Sequence, residues 1–281
     1  MSSPAVAAHS TRRPNRVQSL RRALAVLRAF DDAQPELGIT EIARKVSLSK
    51  SIVMRLVATL RDEGFLQRSP GSDKYRIGLA AFEIGNLYYL SASLRREAEP
   101  MLLELAERFG HSAYLGTLSG DRAIYVSVIE GPGPIRVGPR IGSSAPAHTT
   151  AAGKALLAHQ GVEEMERYFA TADLTPETPR SITSKAALRE ELGAVRALGF
   201  AVNRGEHLNG VGSIGSAIFD RRGAAVASIS VSFPMYLVPE DRWPGIAAAV
   251  VETAKEISRR LGTGHTDTTR EAKRYGTASN A

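Results

Sequence analysis

The stretch "GVGSIG", Gly210 to Gly215, places glycines in the spacing G-x-G-x-x-G. That spacing cradles a dinucleotide pyrophosphate when a strand precedes it and a helix follows at once. The residues after Gly215, "SAIFD", are β-branched and aromatic and run into the turn Arg221-Arg222-Gly223. No helix begins there, so no nicotinamide site is expected. Gly153-Lys154 resembles the end of a phosphate-binding loop, but the earlier glycine and the following Ser or Thr are missing. His111, His148, His159 and His207 stand at no metal-ligand spacing, and no serine has a nucleophile-elbow context. His207 beside Glu206 is the one adjacent acid–base pair of interest, and such a histidine is more often structural. The chain has no cysteine, which excludes disulfides, thiolate zinc sites and a cysteine nucleophile. These residues predict no enzyme, no cofactor and no metal.

A different chemistry is written in the charge. Residues 1–78 carry 14 Lys/Arg against 7 Asp/Glu, whereas the other 203 residues carry 22 of each. The whole net charge of +7 therefore sits in the first quarter, which points either to a polyanion partner or to a soluble basic face. "VQSLRRALAVLRAF" (17–30) predicts a helix with Val17, Leu20, Leu24 and Leu27 inward. "ITEIARKVSLSKSIVMRLVATLRDEGFL" predicts two more helices. The first is capped near Thr40 with Ile42, Ala43 and Val46 inward. The second is capped by Ser49, with Ile52, Val53, Leu56, Val57 and Leu60 inward and Gly64 as its stop. Only Ser47 and Leu48 separate them, which is helix-turn-helix spacing. The second helix turns Ser51, Met54, Arg55 and Ala58 outward with Lys50 at its start, as a major-groove recognition helix requires. "FLQRSPGSDKYRIG" then predicts a hairpin wing around Pro70-Gly71-Ser72-Asp73. The expected DNA-binding set is Arg16, Ser49, Lys50, Ser51, Met54, Arg55, Arg68, Lys74 and Arg76. Ser51, Met54 and Arg55 would read base edges, and the wing cations would hold phosphates.

"LAAFEIGNLYYLS" (79–91) is apolar nearly all round, which predicts a helix buried on more than one side: between domains, against a second subunit, or within its own chain. The next helix, "SLRREAEPMLLELAERFG", is expected to break near Pro100. "SAYLGTL" and "RAIYVSVIE" predict a β-hairpin, "AHTTAAGKALLAHQ" a helix, and "SKAALREELGAVRALGFAVNRGEH" a helix running into a strand. "GVGSIGSAIFD" and "AAVASISVSF" predict two strands, and a last helix spans about 244–261 with Ile246, Val250, Ile257 and Leu261 on one stripe. No run of about 18 apolar residues and no signal-peptide core occurs, so no membrane partner is expected and the cytoplasm is the simplest compartment.

Three blocks, "SLRRALAVLRAF…ITEIARKVSLSKSIVMRLVATLRDEGFL", "APAHTTAAGKALLA" and "GFAVNRGEHLNGVGSIGSAIFDRRGAAVASISVSFP", together resemble the IclR family of bacterial transcriptional regulators from about Val17 to Leu261. The resemblance implies an α+β chain of two domains: an N-terminal winged helix-turn-helix, and a C-terminal GAF-like effector domain whose largely antiparallel sheet is flanked by helices. The expected division is a disordered arm (1–15), a DNA-binding domain (16–78), a linker helix (79–93), an effector and oligomerisation domain (94–261) and a disordered tail (262–281). The resemblance implies three partners: palindromic double-stranded operator DNA, a small organic acid (aromatic acids included), and the chain itself as a homodimer or dimer of dimers. Aligned on the family's ligand positions are Val137, Ala145, Ala151, Asn203, Ser213, Ser230 and Ser232.

Alternation on "AAVASISVSF" puts Ser228, Ser230 and Ser232 on one face and Ala227, Ile229, Val231 and Phe233 on the other. The serine face meets either water or, as the resemblance implies, a carboxylate, with the helix start near His148–Thr150 adding its dipole. Gly212 and Gly215, the latter where the family more often has alanine, are expected to make room beside Ser213. The leading reading is a ligand-responsive DNA-binding regulator. The alternatives are a regulator whose C-terminal domain acts without a ligand, and a small-molecule enzyme.

Overall fold

The computed structural model describes residues 17–31, 33–90, 93–133 and 137–263. The chain forms two compact units, Met1–Ser91 and Ala92–Ala281. The first holds α1 (Gln18–Leu27), α2 (Ile39–Val46), α3 (Lys50–Asp62), the hairpin β1 (Leu66–Arg68) and β2 (Tyr75–Ile77), and α4 (Leu79–Leu90). Its core joins Val26 of α1, Ile42 and Ala43 of α2, Val53, Val57 and Leu60 of α3, and Leu66 of the wing.

Two local expectations are corrected in this unit. The buried stripe of α1 is Val26 with Ala23 and Leu27 packed alongside, whereas Val17, Leu20 and Leu24 are 63%, 58% and 44% exposed. A ten-residue helix with two apolar stripes cannot declare which one the neighbouring helices will cover. α2 starts before Thr40, because Glu41 reaches back and its Oε2 accepts the Gly38 N–H at 2.8 Å. Helix α4 forms as expected, and Leu79, Phe82 and Ile84 on it are exposed.

The second unit holds α5 (Ser93–Phe109), β3 (Ser112–Ser119), β4 (Arg122–Ile129), β5 (Ser144–Pro146), α6 (Ala151–Leu157), α7 (Val162–Thr171), α8 (Lys185–Leu198), β6 (Ala201–Arg204), β7 (Val211–Phe219), β8 (Ala225–Pro234) and α9 (Trp243–Thr263). The sheet is antiparallel throughout, in the order β5-β4-β3-β8-β7-β6. One face packs on α5 and α9 through Leu102, Leu115, Ile214, Ile229, Val231 and Ile257. The other is covered by α6, whose Ala151 and Ala155 join Phe169 of α7 and Leu188 of α8 in a second core. Helix α5 runs unbroken through Pro100. The proline removes one backbone hydrogen bond, and burial of Ala98, Leu102, Leu105 and Ala106 on the sheet holds both sides of it in one helix.

Candidate DNA interface and effector face

The turn between α2 and α3 is made by Ser47 in the left-handed region (φ 54, ψ 45), with the Leu48 N–H donating to the Ala43 carbonyl at 3.1 Å. This reversal fixes α3 against α2 through Val53 and Val57 and leaves the opposite side of α3 in water. Lys50, Ser51, Met54 and Arg55 are all exposed there, Met54 at 59%. Ser49 occupies the N-cap, but its hydroxyl makes no cap hydrogen bond and instead lies 3.1 Å from the Ser51 Oγ. Among the described residues no carboxylate pairs with Lys50, Arg55 or Arg76. The other wing cations are engaged. Arg68 donates to Asp73 across the hairpin tip at 2.7 Å, and Lys74 lies 3.6 Å from Glu41. Both pairs are solvated, so each contributes little and exchanges readily for a phosphate. Arg16 lies outside the described residues. Sequence reasoning missed Lys45, whose Nζ donates to Asp31 at 2.8 Å and to the Ala29 carbonyl at 2.9 Å, tying α2 to the end of α1.

In the second unit, register builds a polar row. Ser112 on β3 stands opposite Ser232 on β8, Ser232 opposite Ser213 on β7, and Ser213 opposite Asn203 on β6. All four are buried, and they occupy the α6 face of the sheet. The Asn203 Nδ2 donates to the Ser213 Oγ at 3.3 Å, and the Glu206 N–H donates to the Asn203 Oδ1 at 2.7 Å. Ser230, one row along, pairs with Gly215 and with Tyr114. The serine face of β8 is therefore not turned to water.

Two expected residues stand apart from this row. Ala145 lies on β5, the opposite edge of the sheet from Asn203, and packs with Tyr114, Tyr125 and Ala152. Five strand spacings of about 4.8 Å put the two edges roughly 24 Å apart if the sheet were flat. Val137 meets the sheet through its carbonyl, which accepts the Tyr114 hydroxyl at 2.7 Å. Tyr114 thus stands between the two groups. Burial keeps both phenols protonated, pushing Tyr125 up to about 12 and raising Tyr114 as well. The 2-residue period of β3 puts Ser112 and Tyr114 on one face, and pairing with β8 makes it the face of Ser230 and Ser232.

The glycines of "GVGSIG" do not open one pocket, because Gly212 and Gly215 lie on opposite faces. A Cβ on Gly212 would stand 2.6 Å from the Phe233 ring, on the α5/α9 side. A Cβ on Gly215 would stand 3.1 Å from both the Ala151 carbonyl carbon and the Ile229 oxygen. Gly215 therefore lets the first turn of α6 rest on the strand. The Thr150 Oγ1 caps that turn, accepting the Gly153 N–H at 3.0 Å.

Beneath α6 lies a feature that sequence reasoning missed. Lys154 is 1% exposed, and its Nζ donates to both Glu206 carboxylate oxygens at 2.9 Å, to Glu191 at 2.8 Å and to the Val202 carbonyl at 2.7 Å. Burial pushes the Glu206 carboxyl up from its ordinary range, and the ammonium opposes that push. One cation in the apolar run "AAGKALLAH" was the available signal, since a charge there needs a buried partner. Because Glu206 is committed to Lys154, it does not pair with His207 as an acid–base couple. Burial lowers the pKa of His148 and His207, and among the described residues no group of three His, Asp or Glu could hold a metal ion. No helix of the described residues is long and apolar enough to cross a membrane.

The family "IclR helix-turn-helix domain" matches residues 19–70, and "Bacterial transcriptional regulator IclR C-terminal" matches residues 87–259. The HTH-type transcriptional regulator KdgR of Escherichia coli is 32% identical over 251 residues, covering 89% of this chain and 95% of that one. XynR of the same organism is 31% identical over 246 residues, covering 88% and 98%. Among solved structures, the Thermotoga maritima IclR superposes with a TM-score of 0.65 at 29% identity, covering 87% of this chain and 98% of that one. An IclR transcriptional regulator from Alicyclobacillus acidocaldarius superposes at 0.76 with 26% identity, covering 88% and 100%. A winged helix-turn-helix followed by an antiparallel sheet flanked by helices, matched along both parts, makes this chain a member of the IclR family of bacterial transcriptional regulators, with a DNA-binding and an effector-binding domain.

Proposed function

We propose that the chain binds a palindromic operator as a dimer and that a small organic acid, seated on the polar row, changes that binding. The observation that carries the DNA reading is the outward side of α3, where Lys50, Ser51, Met54 and Arg55 are exposed and the two cations have no protein partner among the described residues. Arg55 and Met54 meet base edges, while Lys50 and Arg76, with Arg68 and Lys74 released from their solvated pairs, hold phosphates. The exposed apolar sides of α1 and α4 support pairing of two chains, which a two-fold operator requires. In the second unit, hydroxyls of Ser213, Ser230 and Ser232 and the Asn203 amide supply the hydrogen bonds a carboxylate needs. A ligand there shifts operator affinity only by binding the two states of the dimer unequally.

The test has two arms. Operator binding is followed by fluorescence anisotropy across a salt series, where log K is expected to fall steeply and linearly with log salt. Salt-independent or absent binding rejects the DNA reading. Thermal melting is then followed with a panel of organic acids, where an acid at about 100 times its Kd adds about 2.7 kcal/mol. A panel in which no acid raises the melting temperature, in a protein that still binds DNA, rejects the effector reading alone.

A further inference from the structure

The sheet face opposite the polar row is covered by α5 and α9 except along the β6 edge. There the start of α9 stands off the strand and leaves a cavity of about 430 Å³. Phe200, Val202 and Ile214 form the sheet wall, and Trp243, Ala247 and Val251 form the helix wall. Strand alternation puts Val202 and Arg204 on this side and Asn203 on the other, so the cavity and the polar row share no side chain of β6.

The Trp243 ring is fixed. Its indole N–H donates to the Val238 carbonyl at 3.0 Å, and the Phe233 ring backs it at 5.4 Å between centroids. The Arg204 guanidinium lies 5.5 Å from the centre of the same ring. The backbone of Arg204 is engaged, its N–H donating to Glu206 and its carbonyl accepting from Arg180. Among the described residues no carboxylate lies within ion-pair distance of its guanidinium. Glu240 also lines the cavity. It sits in the turn leading into α9, where the positive end of the helix favours a carboxylate.

An apolar slot with one fixed aromatic wall and one unpaired cation at its mouth recognises a particular chemistry. The volume falls within the range of about 300–1,000 Å³ usual for small-molecule sites. We infer that this cavity is a second ligand site, which takes a small carboxylate with a flat apolar body, the body lying between Phe200 and Val202 and the helix wall beside the largely buried Trp243, and the carboxylate meeting Arg204. A neutral apolar compound leaves the guanidinium unpaired, and a short polar acid leaves the aromatic wall uncovered, so neither satisfies both parts. The inference stands independently of the ligand proposed for the polar row.

Trp243 is the only tryptophan in the chain, so a change in tryptophan emission arises at a ring in the wall of this cavity, and the cavity-filling variant below separates binding here from binding elsewhere in the unit. The full-length protein is titrated with 3-phenylpropionate, its neutral amide and acetate, following tryptophan emission. A saturable change is expected with 3-phenylpropionate, with the amide binding about tenfold or more weakly. Arg204→Gln, at an exposed position with its backbone contacts retained, is expected to weaken the carboxylate about tenfold and leave the amide unchanged. Ala248→Leu, which fills the cavity from an exposed position of α9, is expected to abolish the change. Far-UV circular dichroism and melting temperature establish that both variants are folded. Three results overturn the inference: no saturable change with 3-phenylpropionate, an Arg204→Gln titration matching the wild type, or an emission that tracks protein concentration instead of ligand, which would mean that a second copy of the chain covers the cavity.

Discussion

Replacing Lys154 with methionine keeps most of the side-chain volume and removes the charge. Lys154 Nζ meets three acceptor groups in a site where the lysine is 1% exposed, so the ammonium has no water to replace them. The loss falls unequally on the two carboxylates left behind. Glu191, with a side chain 30% exposed, can rehydrate, whereas Glu206, at 8%, cannot. Breaking a buried pair by removing one partner costs about 3–5 kcal/mol. At roughly 2–4 °C per kcal/mol for a unit of this size, the melting temperature should drop by about 6–20 °C. The loss has a pH signature. The Glu206 carboxyl is already raised by burial, and Lys154 is the largest influence holding it down. Without the lysine its folded-state pKa rises further above the unfolded value, so the folded protein binds the extra proton. A raised folded pKa gives stability that is present at low pH and lost as pH rises through that value. Lys154→Met should therefore lose most at pH 8 and recover part of the loss at pH 5.5, relative to wild type at each pH. Adding Glu206→Gln removes the stranded charge and should restore about half the loss at pH 8. Thermal and urea melts of the three proteins at both pH values measure this. A single variant melting within about 2 °C of wild type at pH 8, or losing equally at both pH values, refutes the reasoning.

Three further predictions concern the other sites. Arg55→Ala should lower operator affinity relative to random DNA by about 1–3 kcal/mol, whereas Arg76→Ala should weaken both and reduce the salt slope by about one; equal losses on both DNAs for Arg55→Ala remove it as a base reader. Gly215→Val places a branched side chain where Cβ alone is 3.1 Å from Ala151 and Ile229, and overpacking of that kind costs about 1–3 kcal/mol in urea unfolding; a variant within about 0.5 kcal/mol of wild type means that α6 does not rest on β7. Ser47 holds a left-handed conformation at φ 54, so Ser47→Gly should hold or gain up to about 1 kcal/mol and Ser47→Val should lose about 1–2; the opposite order in chemical denaturation contradicts the turn geometry.

Sequence legibility followed the range of the interactions. The turn at Ser47 and Leu48, the inward stripe of α3 and the wing around Gly71 are set within a few residues, and each could be read directly. The buried face of α1 depends on which stripe α2 and α3 cover, which its own ten residues do not encode. Helix α7, "VEEMERYFAT", carries Met165, Tyr168 and Phe169 at helical spacing on its packed side, so its period was legible although charged residues fill the rest of the segment. Lys154 meets partners 37 and 52 residues away, and spacing along the chain carries no trace of such pairs. The opposite facing of Gly212 and Gly215 was legible, since an odd separation on a strand reverses the side, but the glycine fingerprint drew attention to spacing instead of direction. The aligned ligand positions specified residue types without saying that Ala145 and Asn203 belong to opposite edges of the sheet.

The two sides of α3 answer to different demands. Val53, Val57 and Leu60 hold the helix in the unit, while Lys50, Met54 and Arg55 lend nothing to that core. Substitutions at such exposed positions usually change stability by less than about 0.5 kcal/mol. The outward residues are thus free to vary in identity while the turn at Ser47 keeps aiming them at the same place. New operator preferences can arise on this scaffold one residue at a time, each intermediate still folded, and the second unit inherits every such change without alteration to itself.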